Sequence, residues 1–343
     1  MRVAFDGRVL GRPELAERGI GRYAGSLLDA LEAGGRDVVA LRVLHRPPAP
    51  ERIAELYEHA LLARDVRRSG ADVLHSPSID YVTLRPGVPY VVTVHDLVPL
   101  KQAERYLRTG VKHRLRYAAA KRATRLIVPT EAVAGDCERL LGVDRARVDV
   151  IGEAPAAIFR PLADPEPLLA RFDLPDHFVL WVGGLDPPDP RKGIADLAAA
   201  ARTRDGLPLV LAGRIGAEAA ELAAAGRVIL VGRVSDEELA ALYTRATALV
   251  LPSEEEGFGL TAMEALASGT PVAAFASEAL RELHSGSVAV TLVEPGNHHR
   301  LLAAGEALVG QRAEPPTRTW SEVAEETWES YAAALSAGSA SAA

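Results

Sequence analysis

The chain has 343 residues, 48% of them hydrophobic and 25% charged, with a net charge of −7. That length exceeds what a single core comfortably organises, so two domains are expected. The acidic balance excludes a general nucleic-acid binder, and one cysteine, Cys137, permits no intrachain disulfide and points to a reducing compartment.

The opening MRVAFDGRVL lacks the apolar run of a secretion signal, and no run of ~20 apolar residues offers a membrane span. A cytoplasmic location is expected. Strand candidates follow at RVAF (2–5), DVVALRV (37–43), DVLH (72–75), PYVVTVH (89–95), RLIVP (125–129) and VDVI (148–151). GIGRYAG (19–25) spaces its glycines G-x-G-x-x-x-G, about a dozen residues after the first strand. A dinucleotide loop must leave its strand directly, so this is read as a flexible edge loop instead. His95-Asp96 closes the PYVVTVH strand, where a histidine can orient a hydroxyl or be satisfied by backbone. Residues 106–126 carry seven basic side chains and no acidic one. They are read as a solvated helix face, with contact to an anionic membrane as the other reading. Cys137 falls in a helical pattern with no histidine near it, an inert position.

GEAPAAIFRPLADPEP (152–167) holds four prolines without helical period and reads as a linker. A second set of strands comes next: FVLWVG (178–183), PLVLAG (208–213), RVILVG (227–232), TALVLP (247–252), TPVAAF (270–275) and VAVTLV (288–293). Continuous apolar runs separated by Ala/Leu-rich helices predict parallel strands covered on both faces. The expected fold is α/β, two Rossmann-like doubly wound domains facing across a cleft, over residues 1–160 and 161–319. The amphipathic segment 320–335 is expected to pack back on the first domain, and the terminal SAGSASAA to be disordered.

In such sheets ligands sit outside the carboxyl ends of the strands. Arg191 and Lys192 follow the 178–183 strand at the start of a helix, a place unfavourable for cations unless an anion compensates. Arg214 follows 208–213. After 247–252 comes PSEEEGFGLTAMEALASGTPV (252–272), where Gly257 and Gly259 admit close backbone approach and a helix from Leu260 offers free amides to a phosphate. Glu264 is placed roughly two turns into that helix, and Glu254 and Glu255 in the solvated turn. No Asp-x-Asp, His-x-x-x-His or cysteine cluster supplies metal ligands. His298-His299, in PGNHHR, is read as an exposed loop pair.

Together these residues resemble the retaining nucleotide-sugar glycosyltransferases of family 4, which have the GT-B fold. The match is E-x7-E, Glu256-GFGLTAM-Glu264, with PRKG (190–193), VGRVSDEELAALYTRA (231–246), VPTEAVAGD (128–136), HD (95–96) and GIGRY (19–23) in order. The resemblance implies a metal-independent hexosyltransferase without cofactor, moving sugar from a UDP- or GDP-linked donor to a carbohydrate, lipid-linked or small-molecule acceptor. It implies that Glu264 holds the ribose hydroxyls and Glu256 lies near the donor sugar. Gly257, Phe258, Gly259 and Leu260 would line the sugar–diphosphate region, Lys192 would neutralise the diphosphate, and Val234 would lie beside the base. Gly21 and His95 would face the reacting centre. Where many members have arginine after the strand glycine, this chain has Gly184, so a second cation must come from Arg191 or Arg214 or be absent. A glycoside hydrolase fits less well, because its two carboxyl groups must face across one bond. A nucleotide-sugar epimerase of similar fold and a non-catalytic binding protein are the remaining alternatives.

Overall fold

The computed structural model describes residues 1–11, 19–41, 61–79, 83, 86–101, 111–186, 189–216, 219–223 and 227–342. Each of the twelve predicted runs forms a strand, and the chain divides into two units, Met1–Ala154 with Thr319–Ala343, and Pro155–Arg318. Of the basic run, residues 106–110 lie outside the described residues, as do the side chains of 111–115. Among the described residues no helix is long and apolar enough to cross a membrane.

The first unit is a six-stranded sheet of β1 (Val3–Asp6), β2 (Val38–Leu41), β3 (Val73–Ser76), β4 (Tyr90–Thr93), β5 (Arg125–Val128) and β6 (Val148–Val150). The order is β2-β1-β3-β4-β5-β6 and every pairing is parallel. β1, β3 and β4 are buried along their whole length, which their apolar runs require. GIGRYAG is not a loop: it opens helix α1 (Gly19–Ala33), because Tyr23, Ala24, Leu27, Leu28 and Leu31 recur at helical spacing and bury one face. Cys137 is buried, and burial pushes its thiol up to about 12, so it is inert.

The second unit contains β7 (Val179–Val182), β8 (Leu209–Ala212), β9 (Val228–Gly232), β10 (Ala248–Leu251), β11 (Val272–Phe275) and β12 (Val290–Val293). Their order is β12-β11-β10-β7-β8-β9, all parallel, so the winding reverses between β7 and β10. Two apolar cores cover the sheet. They are closed by α2 (Ile194–Arg202), α3 (Asp236–Arg245), α4 (Leu260–Ala267), α5 (Glu278–His284) and α6 (His298–Glu306). His298 and His299 are therefore helical rather than in a loop. Asn297 caps α6 by accepting from Arg300 N at 2.9 Å, and the His298 ring packs edge-on against Phe275 at 5.0 Å.

Helix α7 (Trp320–Ala342) returns to the first unit, packing on α1, β3, β4 and β5. It continues to Ala342, into the segment expected to be disordered, which is rich in alanine, and Gly338 lies where a Cβ would stand 2.6 Å from Pro89. A buried hydrogen-bond chain docks it. Tyr331 Oη meets His75 Nδ1 at 2.7 Å, His75 Nε2 meets Thr93 Oγ1 at 2.9 Å, and Tyr23 Oη meets the same oxygen at 3.1 Å. Burial, reinforced by His95, pushes the His75 imidazole down to about 3. The unfolded chain takes up this proton below about pH 6.5 and the folded chain does not until about pH 3. Acid therefore destabilises through His75, by about 1.4 kcal/mol per pH unit within that window. Urea unfolding of His75→Gln should show a shallower loss of stability from pH 6.5 to 4 than the parent; equal slopes would refute it.

Candidate functional site

Where strand order reverses, the loops after the two diverging strands separate and leave a crevice at the carboxyl edge of the sheet. In the second unit those loops follow β7 and β10, and they carry the residues singled out from the sequence. After β7 the chain passes exposed Gly184, and Pro190–Lys192 form a single 3-10 turn capped by Asp189. Gly193 follows at φ +59°, where an added Cβ would stand 2.7 Å from the Pro252 carbonyl oxygen in the β10 loop. Only glycine suits both the angle and the contact. The close approach brings the two loops together, and Lys192 Nζ donates to Glu256 Oε1 at 2.6 Å.

The helix termini on either side of this point differ from the other capped ones in the unit. α2 begins at Gly193 and α4 at Gly259 (φ +83°), and neither has a side-chain cap. α3, α5 and α6 are capped by Ser235, Ser277 and Asn297. Glycine caps leave first-turn amides available to an external acceptor, and the dipole favours an anion there. Phe258 is 6% exposed and belongs to the core, anchoring the loop between the two glycines, while Leu260 and Val234 pack at the core's margin. Glu254 is exposed and Glu255 half-buried.

Glu264 is the fifth residue of α4, a little over one turn in rather than two, and is 5% exposed. Its Oε2 accepts from Tyr243 Oη at 3.0 Å. Both candidate second cations are paired within their own surroundings. Arg191 reaches Asp189 at 2.6 Å and Arg214 reaches Asp186 at 3.3 Å. Burial alone would raise Asp189, but hydrogen bonds from the Arg191 side chain and backbone hold it below the usual carboxylate range. His298 stands behind the Lys192 turn, its Nε2 3.3 Å from where a Gly193 Cβ would be. Burial lowers its pKa against the pull of Asp196 and Glu254. A cavity of about 590 Å³, lined among others by Leu168, Arg171, Ser235 and Glu237, opens beside α3; none of the candidate site residues lines it. Among the described residues no group of three His, Cys, Asp or Glu side chains could hold a metal ion.

In the first unit, Gly21 is buried in α1, and Tyr23 two residues on packs edge-to-face on His95 at 4.6 Å. His95 Nδ1 faces Glu153 Oε1 at 3.0 Å and Nε2 faces the Pro77 carbonyl at 2.9 Å. Both partners can accept, an arrangement that favours the doubly protonated, cationic form of the ring. Burial opposes this charge, but the Glu153 hydrogen bond and charge, the Pro77 carbonyl and Asp96 raise its pKa above the ordinary value. The sheet reversal of this unit, between β1 and β3, holds a buried pair that sequence reasoning missed. Arg8 donates to both Asp6 oxygens at 2.8 and 2.6 Å, and Ser76 Oγ to Asp6 at 3.1 Å. Glu153 and Asp6 carried no sequence signal beyond their places at or after strand ends, and Tyr243, though inside the matched segment 231–246, carried none for a role of its own.

Residues 15–153 match the family profile described as Glycosyltransferase Family 4, and 172–325 match Glycosyl transferases group 1. The chain is 32% identical over 245 residues to 2-deoxystreptamine N-acetyl-D-glucosaminyltransferase of Streptomyces fradiae, covering 65% of this chain and 57% of that one. It is 32% identical over 227 residues to D-inositol 3-phosphate glycosyltransferase of Mycobacterium bovis, covering 61% and 46%. The chain thus spans about half the length of the curated relatives it matches. Among solved structures, sucrose-phosphate synthase from Thermosynechococcus elongatus superposes with TM-score 0.71 at 22% identity, over 99% of this chain and 98% of that one. Anabaena HepE in complex with UDP and glucose superposes with TM-score 0.68 at 17% identity, over 100% and 98%.

Proposed function

This chain belongs to the GT-B glycosyltransferases of family 4 and group 1, and from that premise we propose that it moves a sugar from a nucleoside-diphosphate sugar to an acceptor hydroxyl with retention. The observation that carries this reading is the pairing of two glycine-capped helix starts with Lys192 and Glu256 at the β7/β10 reversal. Amides and an ammonium group there suit a diphosphate, and Glu256 and Glu264 suit the hydroxyls on its two sides. The solved complex of Anabaena HepE with UDP and glucose supports a nucleotide-sugar donor.

In the proposed step the bond from the sugar's anomeric carbon to the diphosphate oxygen breaks as the acceptor oxygen bonds the same face. The acceptor proton passes to the departing phosphate. Lys192 and the amides of α2 and α4 stabilise charge as it grows on that phosphate. Gly257, Phe258, Gly259 and Leu260 shape the diphosphate loop, Gly184 leaves its approach open, and Val234 takes the base. Arg191 and Arg214 would add charge only on leaving Asp189 and Asp186. Gly21 and His95 are assigned to the acceptor-binding unit, and His95, whose two nitrogens both face acceptors, is suited there to act as a cation rather than a base. The epimerase and non-catalytic alternatives are not favoured.

A thermal-shift panel of UDP, GDP, ADP and their sugars tests the donor class. One diphosphate series should stabilise the protein, and free nucleoside diphosphate should appear rapidly only when an acceptor is added. Stabilisation by none of the panel would refute the reading.

A further inference from the structure

The geometry points to Tyr243 as the positioning residue of the ribose-binding carboxylate, a tyrosine that presets Glu264 for a vicinal diol and so selects ribose over deoxyribose donors. This rests on the proposed role of Glu264. Tyr243 lies on α3, 21 residues from Glu264, and is fully buried. Its hydroxyl donates to Glu264 Oε2 at 3.0 Å, and Glu264 is itself 5% exposed. A carboxylate drawn that far from water requires donors, and a phenol held at hydrogen-bond distance supplies one while fixing the plane of the carboxyl group.

The tyrosine is immobilised at both ends. Its ring meets the Phe159 edge with centroids 5.8 Å apart. Its backbone carbonyl accepts from Thr270 Oγ1 and from Ala246 N, the latter at 3.1 Å. Thr270 N in turn bonds the Ala265 carbonyl at 2.9 Å, and Ser268 Oγ bonds the Glu264 carbonyl at 3.0 Å. Helix α3 and the far end of α4 are thereby tied around the carboxylate. A carboxyl group so constrained cannot rotate to suit a sugar lacking hydroxyls, and a site built for hydroxyls discriminates against analogues without them. Without the tyrosine hydroxyl the carboxylate loses the donor that sets its orientation, and discrimination should be lost before nucleotide binding is.

The test measures, by calorimetry, the affinities of UDP and GDP and of their 2′,3′-dideoxy forms for the parent chain, Tyr243→Phe and Glu264→Ala. The parent should bind the better ribonucleotide at least about tenfold more tightly than its dideoxy form. In Tyr243→Phe that ratio should fall to about threefold or less, with dideoxy affinity within about twofold of the parent. In Glu264→Ala the ratio should be near one. If Tyr243→Phe keeps the parent ratio, the positioning role is wrong while the Glu264 assignment stands. If Tyr243→Phe weakens both ligand forms equally and melts earlier, the tyrosine is structural only and the inference fails. A parent ratio near one overturns the Glu264 reading itself.

Discussion

Lys192→Ala should reduce kcat for sugar transfer by about 10²–10³-fold, some 3–4 kcal/mol of transition-state stabilisation. The residue sits at the start of α2, where no side chain caps the helix, so in the proposed reaction its charge would add to the helix amides on the same departing phosphate. Two effects combine in the variant. The growing negative charge loses a cation, and Glu256, which is largely buried and paired with Lys192 at 2.6 Å, is left facing the same anion. Lys192→Arg should recover part of the rate but not all, because a planar guanidinium cannot replace a compact ammonium on a turn this tight. Steady-state kinetics with the sugar nucleotide chosen by the thermal-shift panel provides the measurement. A rate within threefold of the parent would remove Lys192 from the mechanism.

Gly213→Ala should cost about 3–5 kcal/mol in the stability of the second unit. Gly213 follows β8 at φ +150°, and an added Cβ would lie 2.8 Å from the Gly183 carbonyl carbon and closer still to its oxygen. The obstruction is backbone, so no side chain can swing aside. The backbones meet there because β7 and β8 stay paired to their ends, Gly183 N bonding the Ala212 carbonyl at 3.0 Å. Gly184→Ala is the contrasting case: nothing lies within 4 Å of the added carbon, so stability should change by less than about 0.5 kcal/mol. Urea unfolding of the two variants distinguishes a close backbone approach from a general loss of loop flexibility; equal midpoints would defeat the explanation. Displacement of Gly183 would also shift the loop that carries Lys192, so residual folded Gly213→Ala should show a raised KM for donor.

The architecture was largely legible in the chain because parallel strands buried on both faces write themselves as uninterrupted apolar runs. Errors fell where polar or small residues masked a helical face. GIGRY became the first turn of α1 because Tyr23 and Leu27 bury beneath glycines that had suggested a loop. His298 became part of α6 because Asn297 caps a helix whose apolar residues, Leu301 and Leu302, come only later. In the candidate site, the spacing from Glu256 to Glu264 and the run Pro190–Gly193 were visible, since each lies within one loop-and-helix segment.

What the sequence by itself determined is therefore local: the twelve strands, the helix starts after Lys192 and at Leu260, and the cations and carboxylates placed at strand ends. Only the tertiary structure decided which of them meet. Lys192 and Glu256 are 64 residues apart, His95 and Glu153 58, and Tyr243 and Glu264 21. Each pairing depends on the order in which strands lie side by side, and periodicity carries no record of that order. Strand order puts the loops of β7 and β10 at one reversal point, and packing of α3 on α4 turns a tyrosine toward a buried carboxylate. The residues were readable in advance, but their partners were not, because partnership is set by burial and neighbouring backbone rather than by position along the chain.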